Sequence, residues 1–544
     1  MSNEDYVIGV DVGTGSARAG LFDLGGRMLA SAAYPIQIFR PQTDFVEQSS
    51  RDIWGSVCEA VRECLGESGV AAAAVSGISF DATCSLVALD EADNPVTVSP
   101  ENDDERNIIV WMDHRATAQA DEINATSHRV LNYVGGGLSP EQQPPKLKWL
   151  KENLPETWRR TRRFFDLADY LVYEACKEDV RSFCTVVCKW TYMGHEGEHG
   201  SWDHSFFEQA GLADLFTPNR VGERVRPMGT RAGTLTRRAA DELGLTERTV
   251  VGVGIIDAHA GGIGSLGMTR EGEEAGGGRL ENTLALVGGT SSCHMATASD
   301  ARFIPGVWGP YFGAMLPGLW LTEGGQSATG ALLDHIIESH AFAGRLRQKA
   351  SDAGLTVYEL LNGKVADMRA ELGEELTADL HVLPDFHGNR SPRADPQARG
   401  MVSGLALDSS FESLARQYLA TIQSVAYGTL HIIEVLNSHG YDINRVHASG
   451  GGTRNPLWIQ EHADITGRPV YVGRDTESVL LGAAILAAVA AGKFSSIVEA
   501  IAAMSPKAEV IEPNLERSDF HRRKYEVFKL MYEHQKEYRR VMGG

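Results

Sequence analysis

Two segments about half a chain apart share one grammar, and their residue types suit phosphate binding. The first is Val7 to Asp23, VIGVDVGTGSARAGLFD; the second is Thr283 to Thr297, TLALVGGTSSCHMAT. Each runs from an apolar, β-branched stretch through a turn of Gly, Thr and Ser into a second strand-like stretch, the pattern of a β-hairpin with a tight tip. Gly13, Gly15, Gly288 and Gly289 permit left-handed backbone angles that turn successive N–H groups toward one anion, while Thr14, Ser16, Thr290 and Ser291 add hydroxyl donors. Either loop alone also reads as an ordinary glycine-rich hairpin. Asp11 argues for more: a carboxylate among phosphate donors repels a nucleotide unless a divalent cation stands between them, which implies Mg2+ held largely through water. Two such hairpins imply a duplicated core that clamps a nucleotide triphosphate between its halves. Rival phosphate motifs fail: the chain has no G-x-x-x-x-G-K-[ST] string, and Gly13-x-Gly15 meets Arg18 where a dinucleotide fingerprint needs a third glycine.

A second carboxylate stands out in GVGIIDAHAGGIG, where Asp257 follows an apolar strand and precedes small residues. Its bland reading is a helix N-cap; beside two phosphate loops, a general base for a hydroxyl nucleophile becomes the better one. A third glycine cluster, ASGGGTRNPLWIQ, follows a strand and opens a helix, so that Gly450, Gly451 and Gly452 offer a bare platform to a nucleoside and Asn455 a hydrogen bond to its edge. Plain strand-to-helix turn chemistry explains that segment equally well. Polar residues also interrupt core-like stretches: Asp81 in GISFDATCS, with Ala82 beside it on the expected substrate side, Trp111, Asp113 and Arg115 in VWMDHRA, Lys189 in CKWTY, Glu323 in LTEGGQS. Surface ion pairs account for any one of them. A polyol pocket accounts for the set, because sugar hydroxyls need mixed donors and acceptors and a Trp offers a face to the carbon chain. One string points elsewhere: His195-Glu196-Gly197-Glu198-His199 matches the zinc-protease pattern, but Gly194, Gly197 and Gly200 disfavour the helix it requires, and a solvated loop is expected.

These candidates need elements to hold them. A chain of 544 residues is too long for one core. Its 43% hydrophobic and 23% charged content is that of a globular protein, and a formal net charge of −21 argues against nucleic acid or an anionic membrane as partner. The acidic start lacks a secretion signal, the longest apolar stretch is taken as Val479 to Ala491 and is too short to span a bilayer, and seven scattered cysteines read as buried free thiols. A cytoplasmic protein is expected, and a homodimer is compatible with these features. The first half alternates strand and helix signals: a hairpin region at 6–34, a helix near 50–66 and a buried strand at 74–80. Residues 267–282 read as a linker, after which the hairpin grammar restarts, with helices at 325–340, 411–437 and 477–491. Ser518 to Met542 carries apolar residues at helical spacing and should pack on the surface as an amphipathic helix.

Taken together, these strings resemble the FGGY carbohydrate kinases, of the actin and Hsp70-like ATPase superfamily, over nearly the whole chain. The first hairpin, WMDHRA, IDAHAGG, GGTSSCHM and ASGGGTRNPLWIQ stand in family order, and Lys146 to Asn153 is similar to the family's first signature, with Gln143 where that signature prefers Pro, Ser or Thr. Within the family, Ile78 to Leu86, VCKWTY, FIPGVWGPYF and PDFHGNRSP are similar to strings of the D-ribulokinases. The resemblance implies an α/β fold of two RNase H-like domains, at 1–268 and 269–544, with the active site in the cleft between them. It implies ATP and Mg2+ as cofactors, Asp257 as base, Asp11 at the metal, and both hairpins at the phosphates. Gly450 to Gly452 with Asn455 would lie on the adenine side, and Asp81, Trp111, Asp113, Lys189 and Glu323 would line the sugar pocket. D-ribulose is the expected substrate. Another pentulokinase, an L-ribulokinase or a pentitol kinase differs by only a few hydroxyl contacts, and an actin-like ATPase switch is the rival from another class.

Overall fold

The structure, a computed structural model, describes residues 5–273, 277–473 and 477–543. The part of the expected linker at 274–276 therefore lies outside the described residues.

In the first half, β1 (Tyr6–Val12), β2 (Ser16–Asp23) and β3 (Met28–Pro35) form an antiparallel meander, and α1 (Ser50–Ser68) leads to β4 (Val75–Ala82), which pairs parallel with β1. The α1 boundaries follow from capping: the Ser49 side chain accepts from Asp52 N–H, and Gly69, in the left-handed region, closes the last turn. A short helix, α2 (Phe183–Lys189), precedes β5 (Arg231–Thr234), β6 (Val250–Gly252) and β7 (Ile255–Ile256), and α3 (Asp257–Leu266) starts where β7 ends. The sheet order is β5-β6-β4-β1-β2-β3, with β7 also parallel to β4. Helices cover both faces, so the central strands read as continuous apolar runs, and all but the first residue of β1 are buried.

The second half repeats the design. β8 (Thr283–Gly288), β9 (Ser292–Ala298), β10 (Trp308–Phe312) and β11 (Trp320–Gln326) are antiparallel neighbours; after α4 (Phe411–Ser438), strands β12 (Arg445–Ser449) and β13 (Val470–Gly473) add in parallel, with α5 (Pro456–Thr466) between them. The order β10-β11-β9-β8-β12-β13 continues to an edge strand, β14 (Ala508–Ile511), which follows α6 (Ser478–Ala490). The run β11-β9-β8-β12-β13 matches β3-β2-β1-β4-β6 strand for strand, so the expected duplicated α/β core is present. The closing helix α7 (Ser518–Val541) buries Phe520, Tyr525, Phe528 and Met531, but its end leaves Tyr538, Val541 and Met542 exposed.

The 479–491 stretch forms α6, which is too short to cross a membrane. Helix α4, interrupted by polar residues, is long and apolar enough to do so by length and composition, but 78% of its most apolar window is buried inside the protein, where it carries the second-half core.

The halves are joined by an exchange of helices. Although α6 belongs to the second half by sequence, it lies on β1 and β4 of the first sheet, and α3 packs against β8 and β12 of the second. The two helices cross in backbone contact, because a Cβ on Gly482 would stand 1.9 Å from the Ala260 carbonyl oxygen and one on Gly264 1.9 Å from that of Ser478. The largest apolar cluster accordingly runs through both halves, including Ile255, Ile263, Met295, Leu481 and Ile485. Gly482→Ala should force the helices apart and cost about 1–3 kcal/mol or more, as overpacking does. An unchanged urea midpoint in that variant would show that the crossing is not tightly packed.

Candidate functional site

Three carboxylates meet at the carboxyl ends of the first sheet's parallel strands, the edge where open α/β sheets bind ligands. Asp11 near the end of β1 is the register partner of Asp81 on β4, and Ile256, immediately before Asp257, is the partner of Ala82. Sequence places these residues far apart, whereas parallel pairing sets them side by side. Asp81 is fully buried, and neither of its oxygens has a hydrogen-bond donor among the described residues. Burial, then the charges of Asp11 and Asp257, push its carboxyl well above the usual range. Asp257 is half-buried at the first position of α3 and accepts from Ala258 N–H at 2.7 Å. Burial first, and Asp11 second, raise its carboxyl to about 6.

Asp11 also has a cationic partner that the sequence reading passed over. Arg18 Nε donates to Asp11 Oδ2 at 2.7 Å, and a second guanidinium nitrogen reaches the same oxygen. The Arg18 guanidinium continues to Glu477 at 2.9 Å, and Glu477 accepts in turn from Arg454 at 3.2 Å. This ion chain links the first hairpin to the third glycine cluster. The donor set suits a hard divalent cation: it is oxygen-only, with two neighbouring carboxylates, one of them buried without a donor. Asp11 and Asp81 are the residues that would hold Mg2+.

Both hairpins form, with tips at 13–15 and 289–291 closed by Gly13 N–H to the Ser16 carbonyl (3.0 Å) and Gly289 N–H to the Ser291 carbonyl (2.8 Å). None of Gly13, Gly15, Gly288 and Gly289 has a positive φ, contrary to the expectation. Three of them serve by bareness: among the described residues there is no atom within 4 Å of where a Cβ on Gly15 would stand, and at Gly13 and Gly289 only one backbone oxygen, at 3.8 Å, whereas a Cβ on Gly288 would stand 3.2 Å from the Trp458 ring. The third cluster lies against the second hairpin, since β12 pairs with β8 and a Cβ on Gly450, at φ +85°, would stand 2.5 Å from the Gly288 carbonyl oxygen. Gly451 faces open space and Gly452 lies beside Trp458.

Asn455 does not face this platform. Its Oδ1 caps α5, accepting from Leu457 and Trp458 N–H groups and from Asn362 Nδ2, and its Nδ2 donates to the Tyr418 hydroxyl at 2.7 Å. These bonds engage the side-chain oxygen and one of the two amide N–H groups, so the expected hydrogen bond to an adenine edge is reduced to a single remaining donor.

The sugar-side residues divide in two. Trp111 donates its indole N–H to Thr14 Oγ1 at 3.0 Å, tying the first tip to this region. Lys189, at the end of α2, holds its ammonium 4.7 Å from the centre of the Trp308 ring, and the Arg390 guanidinium lies 4.0 Å from the same ring. Glu323, contributed by β11 of the second half, accepts from Arg390 at 2.7 Å and faces His259 Nε2 at 3.3 Å. Burial alone would raise the Glu323 carboxyl, but His259, Arg390 and Lys189 outweigh it and hold it far below the usual range. Trp308, Arg390 and His259 were missed as individuals although each stands in a string already singled out; only the pairing of β10 with β11, which sets Trp308 opposite Glu323, gathers them.

Asp113 and Arg115 belong to neither group. With Glu47 they form a closed pair network whose side chains are wholly buried: Arg115 reaches Glu47 at 2.9 Å and Asp113 at 2.8 Å, donates to the Val98 carbonyl, and lies over the Phe45 ring, while Asp113 accepts from Val46 N–H at 2.6 Å. Their expected role as sugar contacts gives way to that of a brace. The H-E-x-x-H string is a loop, as expected, and not a helix: Gly197 and Gly200 take positive φ, Glu198 and His199 are exposed, and half-buried His195 stacks on Tyr133 at 4.4 Å between centroids while Glu196 pairs with Arg129.

Comparisons with known proteins accord with this geometry. The N-terminal domain model of the FGGY family of carbohydrate kinases matches residues 6–264, and its C-terminal domain model matches 284–491. An "FGGY carbohydrate kinase domain-containing protein" of Xenopus laevis is 48% identical over 99% of this chain and 98% of its own length. A D-ribulokinase of Saccharomyces cerevisiae is 41% identical over 90% of this chain and 72% of its own. Among solved structures, a xylulose kinase from Rhodospirillum rubrum superposes with a TM-score of 0.78 at 24% identity, covering 98% of this chain and 99% of that one, which shows the fold.

The brace yields a discriminating test. Arg115→Met leaves Asp113 and Glu47 buried without their cation and should cost about 3–5 kcal/mol. Chemical denaturation checks this; wild-type stability combined with a selectively raised sugar KM would return Arg115 to the pocket.

Proposed function

We infer, because this chain belongs to the FGGY family of carbohydrate kinases, that it transfers the γ-phosphoryl group of ATP to a ketopentose, and that the ketopentose is D-ribulose, giving D-ribulose 5-phosphate. The observation that carries the phosphoryl-transfer reading is the convergence of Asp11, Asp81 and Asp257 on one edge of the first sheet, where Asp257 opens a helix. Support for the substrate is the 41% identity to the yeast protein named as a D-ribulokinase; relatives named ribulokinase at about 29% mark the alternative, another pentulose.

The chemistry follows from the placement. The sugar hydroxyl attacks the γ-phosphorus, its proton passes to the Asp257 carboxylate, and the bond to the leaving ADP oxygen breaks. A carboxyl raised to about 6 is a stronger base than an ordinary aspartate and is still ionised at neutral pH. The positive end of the ten-residue helix α3 lies at the same point and favours the anionic phosphoryl group. Magnesium, when bound, supplies charge neutralisation at the phosphates. The bare tips at 13–15 and 289–291 let phosphate oxygens approach backbone N–H groups from each half, and Gly450 to Gly452 give the nucleoside its platform. Lys189, Glu323 and Arg390 around Trp308 offer donors and acceptors to sugar hydroxyls beside an aromatic face. Because tips and pocket draw on both halves, closure about the α3–α6 crossing would complete the site and exclude water, which otherwise competes for the phosphoryl group.

A coupled ADP-release assay across stereoisomeric pentuloses and pentitols tests the reading. D-ribulose should give the highest kcat/KM, and ATP turnover without sugar should be slow; preference for L-ribulose or a pentitol overturns the substrate, and sugar-independent turnover overturns the kinase. In the same assay Asp257→Asn should lower kcat by about two or more orders of magnitude while nucleotide binding persists. Near-normal turnover would remove Asp257 from the role of base.

A further inference from the structure

Beneath the sugar-side residues lies a cluster that the kinase chemistry does not use. Cys184 and Cys188, one helical turn apart, project from the same face of α2. His259, on the first turn of α3, meets them: Cys184 Sγ lies 3.0 Å from His259 Nδ1, and the ligand atoms of all three residues fall within 4.8 Å of one another. All three side chains are completely buried. In sequence the two cysteines read as buried free thiols because no second Cys or His pair at zinc-ribbon spacing accompanies them; folding supplies the histidine from 75 residues beyond Cys184.

The other face of the imidazole supplies an independent observation. His259 Nε2 faces Glu323 Oε2 at 3.3 Å, so an N–H there can donate to the carboxylate, and Nδ1 is the nitrogen on the sulfur side. A carboxylate behind a histidine that presents its other nitrogen to a cation is the recurring arrangement of zinc sites, where it fixes the tautomer and strengthens the ligand. Two sulfurs and one nitrogen are the donors a soft or borderline cation selects, in contrast to the oxygen-only set at Asp11 and Asp81.

We propose that Cys184, Cys188 and His259 form a binding site for a thiophilic divalent cation such as Zn2+, with Glu323 as the positioning carboxylate, separate from the magnesium carboxylates. Binding forms two metal–sulfur bonds and one metal–nitrogen bond and displaces two protons from the Cys–Cys–His group to solvent. The ion's two charges replace those of the protons, so the balance among Glu323, Lys189 and Arg390 is preserved. An occupied site clamps α2 to α3 and fixes Lys189, the residue after Cys188, relative to Asp257, two residues before His259.

Purified full-length protein, stripped with chelator under reducing conditions, is titrated with Co2+ and with Zn2+. One Co2+ per chain should bind with a thiolate-to-cobalt charge-transfer band that Zn2+ abolishes, Zn2+ should release about two protons per ion in weak buffer, and the thermal midpoint should rise. Cys184→Ser and Cys188→Ser, each checked for native circular dichroism, should lose the band and the Zn2+-dependent rise. Absence of the band from wild-type protein, or its survival in both variants, overturns the site; the wild-type titration decides the matter even if a variant fails to fold.

Discussion

The close crossing of α3 and α6 is the constraint on which the rest of this structure depends. Neither helix stays with the sheet its sequence neighbourhood suggests; each crosses to the other half and packs there, and they meet through glycines so near that backbone touches backbone. Such contact leaves little slack for sliding along the interface, so closure of the proposed cleft would be a rotation about the crossing. The base candidate Asp257 opens α3, so any rotation that brings the second hairpin nearer moves it against a fixed carboxylate. Core packing and the geometry of catalysis therefore share the same few residues.

Electrostatics around that crossing are arranged in tiers. The first sheet concentrates three carboxylates at one edge, an arrangement that is unfavourable in isolation and leaves Asp81 with its carboxyl raised well above the usual range. Relief comes from Arg18 on Asp11 and, in the proposed enzyme, from a divalent cation and the positive end of α3. The Arg18–Glu477–Arg454 chain carries the same charges across to the second half. On the sugar side the signs mix, with Glu323 between His259, Arg390 and Lys189, as suits a ligand made of hydroxyls. Below both, the side chains of the Arg115 brace are wholly buried, with Glu47 and Asp113 paired to the one guanidinium.

The duplicated architecture explains why equivalent positions in the two halves carry different chemistry. Asp11 and Asp81 on β1 and β4 correspond topologically to the ends of β8 and β12, which carry Gly288 and Ser449 followed by Gly450. The first sheet presents charge at these strand ends and the second presents bare backbone, which in the proposed enzyme suits a cation at the one and the nucleoside at the other, while phosphates and sugar are met by residues of both halves.

Much of this was legible in the chain itself. The two hairpins, the strand and helix signals, the carboxylate Asp257 after an apolar strand and the family resemblance all rest on local pattern, because hydrophobic periodicity and turn composition act over short distances. The reading failed where a side chain's fate depends on partners remote in sequence. Asn455 has the type and position of a ligand residue, yet the start of α5 and the Tyr418 hydroxyl engage its oxygen and one of its two amide N–H groups. Arg115 stands in a motif-like string, yet Glu47 and Asp113 close around it. The tip glycines were expected to turn through left-handed angles, but the hairpins close without them and use the missing side chains instead. The sequence by itself determined which segments become strands, helices and tips and which family the chain resembles. Only the tertiary structure decided that α3 and α6 exchange partners, that Asp11, Asp81 and Asp257 share one edge, and that His259 meets two cysteines, because parallel register and helix crossing are set by contacts between residues tens to hundreds apart.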